Sequence, residues 1–245
     1  MLDVHPPHEA AHTWKDFLIH IATITVGLLI AISLEQTVEA IHHHHQREEL
    51  IADFRGECQR NIDIADRNIV LLHRDHDWEQ TWVSALQQHA QDPRTISVTL
   101  PARPASMQIQ GTSGAVWAIA RSNTKAALLS ENLAEIYARV DHENDEAYRK
   151  SDLVADDLVA LADLARAEGF DVTPLQPSGP VTVTLSLAQR TELITALSHL
   201  IGATNNCVRW YSLLKGASEA VLNNVSSRDA MMPYLQRAML SSTSR

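Results

Sequence analysis

The longest uninterrupted apolar stretch is Phe17 to Leu34, FLIHIATITVGLLIAISL, which contains no Asp, Glu, Lys or Arg. A helix of this length rises about 27 Å, close to the ~30 Å hydrocarbon core of a bilayer, so the segment predicts a single transmembrane helix with lipid as its partner. Trp14 and Lys15 stand at one end as interfacial anchors, and Glu35 closes the other. After it, apolar positions recur at helical spacing through Leu50, Phe54, Cys58, Ile62, Ala65, Ile69 and Leu72, then Trp82 and Leu86. No Gly or Pro other than Gly27 and Gly56 interrupts this stretch before Pro93, so the membrane helix runs on into a long helix ending near residue 90.

A second stripe, Leu129, Leu133, Ile136, Val140, Ala147, Val154, Leu158, Leu161 and Ala165, closes at Gly169 and follows a short helix near Ala115 to Ala120. The third stripe, from Leu193 to Val225, steps by four and three through Leu197, Leu200, Thr204, Cys207, Tyr211, Leu214, Ser218 and Val221. A 3.5-residue period of this kind is the spacing of bundle or coiled-coil packing. Between the helices, residues 91–114 hold Pro93, Pro101, Pro104, Gly111 and Gly114, and residues 169–187 hold Pro174, Pro177, Gly179 and Pro180. Both are loops. Each contains an alternating β-branched run, Ile96 to Leu100 and Val181 to Leu185, short enough for one brief strand. A long up-down-up bundle puts these loops at opposite ends, so pairing the two strands would require a break within the second helix.

The expected architecture is therefore all-α: an N-terminal arm at 1–16, a transmembrane helix at 17–34, an antiparallel bundle of long helices at 35–225 and a C-terminal tail at 226–245. The tail holds a weakly amphipathic Met231 to Leu240 and is expected to fray. A cleaved signal peptide is the main competitor, with Ala31 and Ser33 as the small residues before a cut at Leu34. The flank argues against it, because Asp3, Glu9 and Asp16 outnumber Lys15 where a secretory signal carries a positive excess. A buried core helix of a soluble protein passes the same length test. Lys15 is the only Lys or Arg before the span and Arg47 and Arg55 are the nearest after it, which gives the positive-inside rule little to count. The expectation is a cytosolic N-terminus and a periplasmic or otherwise extracytoplasmic body.

Composition removes some functions. Thirty acidic against 20 basic residues give a net charge of −10, leaving no broad basic face for nucleic acid. No G-x-x-x-x-G-K, no G-x-G-x-x-G and no G-x-S-x-G in a βα pattern occurs, so no catalytic residue and no cofactor is expected. The string His73-Arg74-Asp75 echoes a kinase catalytic loop but no other kinase element accompanies it.

The 13 histidines cluster at His5, His8 and His12, at His42 to His45, and at His73 with His76. Imidazole is a ligand for Zn, Cu and Ni, so a metal-binding or metal-responsive envelope protein is the alternative reading. In the four-histidine run only His42 and His45 share a helical face, and two ligands make a weak site, so the run reads first as a polar collar at the headgroups. His73, His76 and Asp77 fall on one turn, but in an antiparallel pair His142, Asp145 and Glu146 stand some 14 residues, about 21 Å, from the matching height. His20, one turn inside the span, is expected to snorkel as a neutral imidazole.

Thr23, Gly27 and Ala31 recur every four residues in the span, the small-xxx-small pattern that lets two membrane helices approach closely, and they predict a homo-oligomer. Cys58 and Cys207 both fall on apolar stripes. A disulfide between the first and third helices follows if the body is extracytoplasmic, and two ordinary buried thiols if it is cytosolic.

The sequence resembles a group of uncharacterised bacterial single-pass membrane proteins with a His- and Trp-containing arm, one apolar segment and a helical body. The matching residues are His5-Pro-Pro-His8, Trp14-Lys-Asp-Phe17, Ile24 to Ala31, Leu34-Glu-Gln-Thr-Val-Glu39, and Thr112 to Ala120 followed by Leu128 to Tyr137. The resemblance covers about a third of the chain and implies an envelope location and a retained anchor; it carries over no functional residues. The expected role is a membrane-anchored interaction, sensory or scaffold protein with a protein partner that the sequence does not name.

Overall fold

The computed structural model describes residues 14–88, 92–104, 108–172 and 179–242. His5, His8 and His12 of the arm, and the loop residues Pro174 and Pro177, lie outside the described residues. The elements are α1 (Trp14–Gln87), β1 (Ile96–Leu100), α2 (Ala115–Ser122), a 3-10 turn (Lys125–Leu128), α3 (Glu131–Ala167), β2 (Val181–Leu185), α4 (Leu187–Leu222) and α5 (Arg228–Ser242). The fold is all-α, with one two-stranded ribbon. The chain divides into two compact parts, the first ending at Glu49 and the second beginning at Leu50.

The described residues of the first part, 14–49, are all helical. Its 18-residue apolar window is entirely unburied, and it is the one helix among the described residues long and apolar enough to cross a membrane. Its hydroxyls are satisfied internally: Thr23 and Thr25 donate to the carbonyls of Ile19 and Ile21 at 2.9 and 2.8 Å, and Ser33 to that of Leu29 at 2.7 Å. Bonded to its own backbone in this way, such a residue costs little in an apolar segment.

In the second part α1 buries Leu50, Phe54, Cys58, Asn61, Ala65, Asn68 and Leu72. The apolar spacing had placed Ile62 and Ile69 on this face, yet both are only half-buried while Asn61 and Asn68 are sealed at 1% and 0% exposure. The two asparagines hold the chain that returns from β1. Trp82 Nε1 donates to Pro101 O at 2.8 Å, Asn68 brackets Gln110 through both its backbone groups, and Asn61 does the same for Ser113. Pro101, Gln110 and Ser113 therefore lie in succession back along α1, toward the end from which its buried stretch began.

This return decides the topology. Phe54 stacks on Tyr137 with centroids 3.8 Å apart, and Trp82 lies 6.2 Å from Phe170 just past α3, so α1 and α3 point the same way. α4 runs against both: Lys215 meets Asp66 at 2.6 Å and Thr204 meets Glu79 at 3.0 Å. β1 and β2 consequently emerge at the same end and pair antiparallel from Ile96↔Leu185 to Leu100↔Val181. The break that permits pairing lies before the second long helix, not within it. Val98, Leu100, Val183 and Leu185 close one end of the core, while Ser97 with Thr184 and Thr99 with Thr182 face outward at 3.1 and 3.0 Å.

α4 starts with a reciprocal cap: Gln189 N donates to Ser186 Oγ at 3.3 Å and Ser186 N to Gln189 Oε1 at 2.7 Å. Arg190, fully buried, donates to Leu185 O at 2.9 Å, Arg94 O at 3.1 Å and Asp92 O, stapling the loop before β1 to the end of β2. The segment expected to fray is α5, whose Met231, Leu235 and Ala238 are buried. It packs so closely on α4 that a Cβ on Gly216 would lie 2.9 Å from Tyr234 O and 3.0 Å from Ala238 Cβ.

Candidate functional site

The residues singled out for metal chemistry are not assembled into a site. His42 Nε2 lies 2.9 Å from Gln46 Nε2 and His43 4.0 Å from Glu39, all on one exposed helix, and His44 and His45 tilt against each other with centroids 6.1 Å apart. His76 Nδ1 is 3.9 Å from an Asp77 carboxylate that is 87% exposed. His142 packs edge-on against Trp210 at 6.0 Å. The Phe54–Tyr137 stack sets residue 73 level with about residue 156, so His142 is again about 14 residues, or 21 Å, away, now in a parallel pair. Among the described residues no group of three or more His, Cys, Asp or Glu side chains is arranged to hold a metal ion.

The disulfide between Cys58 and Cys207 is corrected. Both thiols are free and buried. Cys58 lies against Ser218 of α4, and Cys207 of the same helix lies 3.6 Å from Ser151 Oγ on α3. Eleven residues of α4 separate the two heights, about 16 Å of rise, against a Cα separation of at most ~7 Å in a disulfide. Burial pushes the thiols up to about 12 and about 11, so both stay protonated and unreactive. Thr23, Gly27 and Ala31 are exposed, and a Cβ on Gly27 would meet nothing within 4 Å.

What the fold brings together instead is a set of polar side chains on the buried face of α1. Phe54, Asn61, Asn68, Asp75 and Trp82 repeat every seven residues. Seven residues of helix rise about 10.5 Å and three of extended chain about 10 Å, so Asn61 and Asn68 meet Ser113 and Gln110 in step. Asn61 receives from Ser113 N at 2.9 Å and donates to Ser113 O at 2.7 Å; Asn68 receives from Gln110 N at 3.0 Å and donates to Gln110 O at 2.8 Å. Glu57 completes the row, accepting from Ser113 Oγ at 2.6 Å and from Val116 N at 3.4 Å at the start of α2. The sequence signal was present, as asparagines at i and i+7 inside an apolar stripe, but nothing local named their partners.

Further along α1, Glu79 is 1% exposed and accepts from Thr204 Oγ1 at 3.0 Å. Burial pushes its carboxyl up to about 8, with the Thr204 hydroxyl and the Arg103 guanidinium pulling back. Arg103 is itself buried, lies over the Trp78 ring at 4.7 Å and donates to Val172 O at 3.0 Å; burial lowers its own proton affinity. On α3, burial also raises Asp141, which Arg121 reaches at 3.3 Å, and Glu143, which pairs with Arg139.

A cleft of about 490 Å³ opens between α1, α4 and α5, with Asp66, His73, Lys215, Glu219, Tyr234 and Arg237 on its walls. Lys215 is held by Asp66 at 2.6 Å and lies 4.0 Å from Glu219, and Arg237 sits 4.7 Å over the Tyr234 ring. Its hydroxyls are turned to their own helices: Ser212, Ser241 and Ser242 donate to Val208, Ala238 and Met239 carbonyls at 2.9, 2.9 and 2.8 Å. Lys215 and Arg237 share the cleft with Asp66 and Glu219, and its serine hydroxyls donate to carbonyls of their own helices. Compared with protein-family models, with curated proteins and with solved structures, the chain finds no match in any of the three.

Proposed function

We propose that this chain is a membrane-anchored interaction protein of the bacterial envelope, held by Phe17 to Leu34 in the lipid bilayer of the inner membrane. In this reading it self-associates, and its periplasmic helical body engages a protein partner as a scaffold or sensory module. The observation that carries the reading is the apolar window in α1, none of which is buried. The large apolar side chains of this segment left in water would forfeit roughly 1.5 kcal/mol or more each, a cost that lipid removes. The absence of a positive excess ahead of the segment supports retention over cleavage. Support for a non-catalytic role comes from Asn61, Asn68 and Arg190, whose buried side chains are spent on backbone contacts, and from Glu57, which is held by Ser113 Oγ and Val116 N.

The test uses a C-terminal tag on the full chain. Carbonate-washed membranes are expected to retain the protein at full-length mass, and protease added to intact spheroplasts is expected to remove the tag before lysis. Recovery in the soluble fraction, or a mature N-terminus at Leu34, would overturn the anchor. A tag that survives until lysis would overturn the periplasmic placement.

A further inference from the structure

The exposed stretch of α1 carries a second periodicity that lipid does not explain. Ile24, Gly27, Ala31, Leu34, Val38, Ile41 and His45 follow one another at alternating steps of three and four. All are exposed, with Ile24 at 71%, Leu34 at 65%, Val38 at 60% and Ile41 at 54%. Ile41 lies seven residues past the apolar segment, about 10 Å further along the axis. Val38 and Ile41 keep this spacing into a polar segment that lipid does not cover, as the seam of a coiled coil does.

We propose that a second copy of this chain covers this face, forming a parallel two-stranded coiled coil that starts inside the membrane at Ile24 and runs out through Val38 and Ile41. The inference rests on the anchor reading and deepens it. Two copies inserted by the same segment cross the bilayer in the same direction and at the same depth, so they meet parallel and in register. Ile24, Ala31 and Val38 then take the a positions and Gly27, Leu34 and Ile41 the d positions. β-branched residues at a with Leu at d favour two strands, which Val38 and Leu34 supply, with Ile41 at the next d position departing from that pattern. Within lipid, where apolar burial no longer drives association, Gly27 and Ala31 let the backbones approach.

The flanking charges fit a parallel pair. Position g of one helix faces e of the next heptad on the other, which sets Ile30 by Glu35, Thr37 by His42 and His44 by Glu49. None of these pairs brings like charges together, and the last is attractive when the imidazole is protonated. The seam closes at His45 and Glu48, where the a and d residues become polar. Thr23 falls out of this register, consistent with its hydroxyl being turned to Ile19 O.

The test is oxidative crosslinking in native membranes of full-length single substitutions, Leu34→Cys, Val38→Cys and Ile41→Cys on the seam and Gln36→Cys and Ala40→Cys off it. Cys58 and Cys207 are buried and the unsubstituted chain measures their background. Dimer yield at the seam positions is expected to exceed that at the others by about fivefold or more, as the a and d spacing dictates. Adding Val38→Glu to Leu34→Cys, outside the lipid and so without loss of insertion, is expected to abolish the excess. The same membranes are washed with carbonate. A chain that stays in the pellet and crosslinks evenly, or at no position, overturns the seam alone, while a chain that leaves the pellet overturns seam and anchor together.

Discussion

Replacing Asn68 by Ala tests how the return segment is held. Asn68 has no exposed surface and makes two bonds to Gln110, of 2.8 and 3.0 Å. Each is worth about 0.5–1.5 kcal/mol net, and a backbone group left dry adds a penalty of about 1–3 kcal/mol. Water entering from the flanks of the segment relieves part of that penalty, so the expected loss is about 2–4 kcal/mol. Asn61→Ala, which removes the matching pair at Ser113, is expected to cost the same. Because both residues hold one segment, the double variant is expected to fall short of the sum by about 1 kcal/mol or more. The assay is urea unfolding of the full chain in mild detergent followed by tryptophan fluorescence, with Gln59→Ala, an exposed residue bonded only within α1, as the control. Losses below about 0.5 kcal/mol at both asparagines, or strict additivity, would refute the argument that these carboxamides fix the path of residues 108–114.

Other outcomes follow from the same structure. Glu79 ionises at about 8 in the fold against an ordinary value of 4.5, so the folded state holds a proton that the unfolded chain releases. The contribution of Glu79 to stability is then greatest below pH 4.5 and falls by up to about 1.4 kcal/mol per pH unit as pH rises to 8; Glu79→Gln is expected to flatten this part of the pH profile and to raise the unfolding midpoint at pH 8. Gly216→Val is expected to cost about 1–3 kcal/mol and to loosen α5, read as faster amide exchange over residues 231–238, since its Cβ would press on Tyr234 O. Cys58 and Cys207 are expected to give identical gel mobility with and without reductant, and to react with a thiol reagent only after urea is added.

Local physical chemistry determined much of this molecule by sequence alone. A helix needs only its own hydrogen bonds and an apolar period, so the absence of Pro and the 3.5-residue spacing made α1, α3 and α4 readable, and two β-branched runs marked both strands. The length of the apolar run likewise needed no partner to be recognised. Contacts between distant residues decided the rest. The direction of α3 hangs on Asn61 and Asn68 meeting backbone 52 and 42 residues away, a pairing no local pattern encodes. With α3 reversed, β1 and β2 come to one end and pair. Cys58 and Cys207 share apolar stripes, but only the register of α4 against α1 and α3 shows them at different heights. α5 is weakly amphipathic and becomes a packed helix because Gly216 lets its backbone approach α4, a fit that exists only once both helices are in place.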